Sequence, residues 1–216
     1  MEKKMVFERD LLDYVYDNLK SLKGDKKEPT DYLYHHNTSY EDAPLIVKHG
    51  ILSMKDIKKL GLKDYSDEVI NLAFDNNSHA NSTDGVSLSI PDLPDIYNNE
   101  YEFDPRTPYA VDFLVSDKIE PCRYTINYGN EYISYSPITP DLFRAVDVRL
   151  MSYIEKLEYY KATSDTLVSK YNNSSRLALE LRKANLGIYL REMSKEDNSV
   201  LDIDRLAQMP EISLKR

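Results

Sequence analysis

Apolar and polar positions along this chain follow two different rhythms, and the changes between them mark its elements. In the opening stretch Phe7, Leu11, Leu12, Val15, Leu19 and Leu22 recur at three- and four-residue intervals. That spacing puts them on one stripe of a helix ending at Gly24. The charged run DKKEPTD that follows, with Pro29 inside it, reads as a linker. Tyr32 to His36 is short and aromatic-rich, as a strand is. Ser39 and Asp42 then have capping-box spacing at the head of a helix stopped by Gly50. Ser53 and Asp56 repeat that spacing at the head of MKDIKKLG, stopped by Gly61, and DEVINLAF predicts a third short helix.

Asp75 to Gly85 is polar and turn-forming throughout, which predicts a surface loop with His79 as a solvated member. The period then changes to two. Val86, Leu88 and Ile90 alternate with Ser87 and Ser89, giving a strand with one apolar and one hydroxyl face. YAVDFLV and CRYTINY predict two more strands, and Gly129-Asn130 joins the second to EYISYSPI as a hairpin. After Pro137 and Pro140 the helical spacing returns, in Phe143, Val146, Leu150, Ile154 and Leu157 and again in Leu177, Leu181, Ala184 and Ile188. The pattern predicts an α+β fold in one domain over 1–216: an N-terminal helix over 1–24, a strand-rich core over 30–137 and a helical extension over 140–216.

Composition narrows the function classes. A chain of 216 residues with 41% hydrophobic and 30% charged side chains can bury a core and lies outside the disordered regime. No apolar run approaches the roughly 18 residues of a membrane span, and the start MEKKMVFERD lacks the apolar segment of a secretory signal, so a cytoplasmic protein is expected. A net charge of −9 disfavours a broad phosphate-backbone footprint, while it suits a basic partner or mimicry of nucleic acid. Eighteen Tyr with no Trp resembles the coding bias of an AT-rich bacterial or phage genome. The single cysteine, Cys122, reads as a half-buried strand residue with no partner for a disulfide or a zinc site. Adjacent histidines in a strand face opposite ways, so His35 and His36 do not ligate one metal ion, and His49 suits the negative end of its helix.

The succession YLYHHNTS, EDAPLIVKHGIL, DGVSLSIPD and YAVDFLVSDKIEP resembles the ADP-ribosyltransferase-like fold, including the DarT-like enzymes that modify nucleic acid. The resemblance covers residues 30–137. It implies NAD as cofactor, a nucleic acid or protein as acceptor, and a first-strand histidine that donates to the NAD ribose. Counting forward from Tyr34 selects His35, and counting back from Thr38-Ser39 selects His36. It further implies that Thr38 belongs to the cofactor site, that Ser87 and Ser89 line its nicotinamide end, and that Glu131 is the catalytic carboxylate.

The chemistry wants these groups together. Breaking the nicotinamide–ribose bond builds positive charge on the sugar, which a fixed carboxylate stabilises more in the transition state than in the ground state. The glycine-rich phosphate motifs are absent, so the dinucleotide would be held by His, Ser and Tyr. Each residue also has a plainer reading: a packed strand histidine, an edge-strand serine face, a cross-strand glutamate beside a turn. Glu180 is a second acid, read as a helix-surface ion pair, and RYTINY could stack bases. The competing function is a non-catalytic acidic interaction protein, of phage-inhibitor or antitoxin type, that binds a protein partner through its C-terminal helices.

Overall fold

The computed structural model describes residues 3–67, 84–90, 109–124, 131–149, 163–192 and 199–216. DEVINLAF after its first residue, His79, the Gly129-Asn130 turn and Leu150 to Leu157 lie outside these residues. Among the described residues the chain is mixed α and β, with a nine-stranded sheet, a two-stranded sheet and five α-helices.

The large sheet contains β2 (Lys23–Lys26), β3 (Tyr32–Ser39), β4 (Val86–Ser89), β5 (Tyr109–Ser116), β6 (Cys122–Tyr124), β7 (Glu131–Ser134), β8 (Phe143–Val148), β9 (Tyr189–Glu192) and β10 (Ser199–Leu201). Their order is β2-β10-β9-β8-β5-β3-β4-β7-β6, antiparallel except for the β8–β9 pair. The small sheet pairs β1 (Lys3–Phe7) in parallel with β11 (Glu211–Lys215). The helices are α1 (Leu11–Lys20), α2 (Ala43–His49), α3 (Met54–Lys59), α4 (Ser164–Ala184) and α5 (Ile203–Leu206). One face of the central strands, with Val111, Phe113, Val146 and Leu190, joins Leu11 and Val15 of α1, Val47 of α2 and Leu177 of α4 in a single buried cluster. No helix among the described residues is long and apolar enough to cross a membrane.

The helix signals around β3 hold in detail. The Ser39 hydroxyl accepts the Asp42 N–H at 3.1 Å just before α2. At α3 the Ser53 hydroxyl accepts the Asp56 N–H at 3.2 Å and donates back to the Asp56 carboxylate at 2.8 Å. At α3 an orphan donor is thereby satisfied from sequence positions three apart, whereas α2 begins only after Asp42, whose side chain makes no cap bond, so Ser39 closes the turn that leads into it. Gly50 ends α2 at φ 84°, a left-handed geometry that glycine adopts without a Cβ penalty.

The two ends of the chain depart from the periodic reading. Of the N-terminal stripe, Leu11, Val15, Leu19 and Leu22 are buried, whereas Phe7 lies in β1 and is 46% exposed, and Leu12 is 40% exposed. Gly24 is not a helix stop but a residue of β2. Phe143 and Val146 are strand residues too. β8 is flanked by β5 and β9 and buried at Phe143 and at every position from Ala145 to Val148, so burial on both faces, not a helical stripe, sets their spacing. α4 is the long helix of the last third. It stops at Asn185, at φ 50°, before Ile188 is reached, and the chain after it supplies β9, β10 and β11. The 140–216 segment is therefore not a helical extension, because three of its strands complete the sheet begun by residues 23–134. Cys122 lies in a strand as expected but is exposed.

Candidate functional site

The site forms beside β3. Among the described residues β3 has a long ladder with β5, from Tyr32↔Ser116 to Ser39↔Tyr109, and a single register pair with β4, His35↔Ser89. Beside that pair a pocket of about 330 Å³ is lined by His36 to Thr38 of β3, Gly85 to Ser87 of β4, one side of α2 and α3, and the segment after α3. Most of its wall is apolar, including Ile46, Ile51, Met54 and Leu62, with a few polar groups turned into it. A small-molecule site has that constitution.

His36 is a part-buried polar group of the pocket wall. Its Nδ1–H donates to the Ser87 carbonyl at 3.0 Å, a bond between residues 51 apart in sequence. Burial lowers the pKa of the imidazole, outweighing the Ser87 bond and the Asp112 charge, which both raise it. A neutral ring with its proton on Nδ1 leaves Nε2 as a lone-pair acceptor. The resemblance implied a donating histidine, but this ring can only accept from a hydroxyl.

The other sequence-named residues divide between two places. Thr38 and Ser87 line the pocket with His36. His35 points to the opposite sheet face, as alternation requires, with its ring centroid 5.4 Å from that of Tyr32 in an edge-to-face arrangement and its buried Nε2 without a hydrogen-bond partner among the described residues. Ser89 is exposed and is not part of the pocket wall. In backbone register Ser89 pairs with His35 on one side and with Glu131 on the other, so β3, β4 and β7 are consecutive neighbours. Glu131 opens β7, and two strand spacings, about 10 Å, separate its backbone from that of His35. His49 ends α2 and lines the pocket. Glu180 pairs with Lys183 at 2.7 Å on α4, the surface role expected of it.

At the pocket mouth Lys63 forms an ion pair with Asp42, their side chains 35% and 31% exposed. Burial would lower the Lys63 pKa, but the Asp42 carboxylate outweighs it and holds the ammonium above the usual lysine range.

Sequence reasoning missed a second polar group behind the pocket. Asn37, Asp112, Asp147 and Arg191 form one register row across β3, β5, β8 and β9. Asn37 Nδ2 donates to Asp112 at 2.7 Å, and Arg149 pairs with the other Asp112 oxygen at 3.5 Å. Arg191, 2% exposed, grips both Asp147 oxygens at 2.8 Å and reaches Glu28 at 2.8 Å. Burial lifts the Asp147 pKa to about 6 even though Arg191 opposes the shift. Charged letters inside VDV and YLRE give no local sign of a buried bidentate pair. The one available hint is that each interrupts an otherwise apolar strand.

Among the described residues no group of three or more His, Cys, Asp or Glu could hold a metal ion. A second pocket, of about 380 Å³ beside β2 and β10, shares no residue with the pocket beside β3. No protein-family model, curated protein or solved structure matches the chain.

Proposed function

We propose that the chain is an NAD-dependent ADP-ribosyltransferase acting on a nucleic acid or protein acceptor. The observation that supports this reading is the adjacency of β3, β4 and β7 together with the His36–Ser87 bond: the histidine, serine and glutamate strands of the resemblance, distant in sequence, are neighbours in one sheet, and the first two of them line one pocket. His36 is the ribose ligand of the two histidines, its Nε2 accepting a hydroxyl proton, with Thr38 and Ser87 beside it. Ser89 is a flanking residue.

In the reaction the C1′–nitrogen bond breaks and its electron pair leaves with nicotinamide, which departs neutral. Positive charge on the sugar is stabilised by the Glu131 carboxylate, the acceptor nucleophile bonds to C1′, and its proton goes to solvent or to that carboxylate. The test is titration calorimetry with NAD on wild type and Glu131→Gln, alongside incubation of each with labelled NAD and cell extract. NAD should bind both proteins within about threefold, because removing a charge that acts on the transition state leaves ground-state binding nearly intact. Label transfer or nicotinamide release should fall by at least about 100-fold in the variant. NAD binding without turnover in wild type would make this a non-catalytic nucleotide-binding protein, and no NAD binding would remove the proposal altogether.

A further inference from the structure

We propose that Lys63, held at the pocket mouth by Asp42, is an anion subsite that reads the pyrophosphate of the dinucleotide. The inference rests on the NAD reading above and assigns a residue that lies outside every motif of the resemblance. His36 and Lys63 line the same pocket, with Lys63 35% exposed, so a ligand placed with its nicotinamide riboside against His36 can run its phosphates toward the ammonium.

Lys63 is suited to that role in position and in partner. It stands just after Gly61, whose φ of 65° turns the chain back over α3, so a short segment rather than a long loop fixes it. The Tyr65 ring lies 5.9 Å from its Nζ and lines the same pocket. Asp42 occupies only part of the donor capacity of an ammonium, which has three N–H groups. In the empty pocket the carboxylate keeps the ammonium over the mouth, and a pyrophosphate brings a stronger anionic partner to the same atom. In a chain of net charge −9, one cation on the wall of a mostly apolar pocket is the feature that would separate phosphorylated from unphosphorylated nicotinamide nucleosides.

The experiment is calorimetry on the full chain with three probes: NAD, nicotinamide mononucleotide and nicotinamide riboside, against wild type, Lys63→Gln and Lys63→Arg. Lys63→Gln should weaken NAD and the mononucleotide by about tenfold while changing the riboside less than twofold. Lys63→Arg should stay within about threefold of wild type for all three, since it keeps the charge. Equal weakening of all three probes by Lys63→Gln would show that the residue only supports the wall, and no change with any of them would show that it touches no phosphate. Either result overturns the subsite while leaving NAD binding by wild type, and hence the proposed function, standing. A wild type that binds none of the probes overturns both.

Discussion

Replacing Arg191 by Met tests the buried row behind the pocket most directly. The change removes both hydrogen bonds to Asp147 and the bond to Glu28 from a side chain that is 2% exposed. Glu28 is 69% exposed and recovers water, but Asp147 is 3% exposed and does not. Stranding one member of a buried pair costs about 3–5 kcal/mol. Asp147 has one escape, which is to take up a proton. That costs about 1.4 kcal/mol for each pH unit above the ordinary carboxylate range, so about 4 kcal/mol at pH 7 and about 1.5 kcal/mol at pH 5. The sign is fixed by burial: a carboxyl whose folded pKa is raised holds its proton more tightly folded than unfolded, so its contribution is most favourable at low pH and declines as pH rises through the folded value. Urea unfolding followed by far-ultraviolet circular dichroism should show Arg191→Met losing about 3–4 kcal/mol relative to wild type at pH 7 and less than half of that at pH 5. Pairing it with Asp147→Leu should recover most of the loss at pH 7, because two apolar side chains then replace both charges. A single-variant loss below about 1 kcal/mol at both pH values, or a double variant as unstable as the single, would refute the argument from an uncompensated charge.

Two further outcomes follow from the pocket itself. Gly50→Ala forces a Cβ onto the Ile138 carbonyl from a left-handed φ, and should cost about 3 kcal/mol or more in urea unfolding and weaken NAD binding. It opens the Ile51–Ile138 bridge, whose two bonds of 2.9 and 3.0 Å pin that wall, so an unchanged midpoint would mean the bridge is not needed. Burial lowers the pKa of both His35 and His36, so the unfolded chain binds protons first on acidification. Stability should be full above about pH 6.5 and decline as pH falls through the lowered folded values. His36→Asn should flatten the slope between pH 6.5 and 5, and an unchanged slope in unfolding experiments over that range would count against a buried neutral ring.

What could be read from the chain without coordinates was what short-range chemistry determines. Ser53 with Asp56 caps its helix within one turn, Ser39 with Asp42 closes the turn that leads into α2, and Val86 to Ser89 alternates because β4 buries one side only. The failures share a cause of the opposite kind. Lys3–Phe7 is a strand because Glu211–Lys215, at the far end of the chain, pairs with it, and nothing nearby announces that partner. Phe143 and Val146 match a helical interval by coincidence, since a strand buried on both faces has no polar positions to betray its period of two. The site was readable to the extent that its motifs sit on adjacent strands, whereas the separation of Ser87 from Ser89 depended on where β4 ends.

The paired histidines of β3 make sense once the strand is seen as a partition. Alternation hands His36 to the pocket and His35 to the other face, where the neighbouring residue Asn37 enters the charged row through Asp112. Asn37 also borders the pocket, so one residue belongs to both environments. Among the described residues β3 meets β4 in a single register pair, and the ladder to β5 and side-chain bonds such as Asn37–Asp112 hold it on its other side. The charged row therefore does more than tolerate burial. Asn37–Asp112 ties β3 to β5 and Arg191–Asp147 ties β9 to β8, so its bonds brace the strands beside the one from which His36 reaches Ser87. A lesion in that row should loosen ligand binding at the pocket as well as lower stability, although no atom of Arg191 lines the pocket.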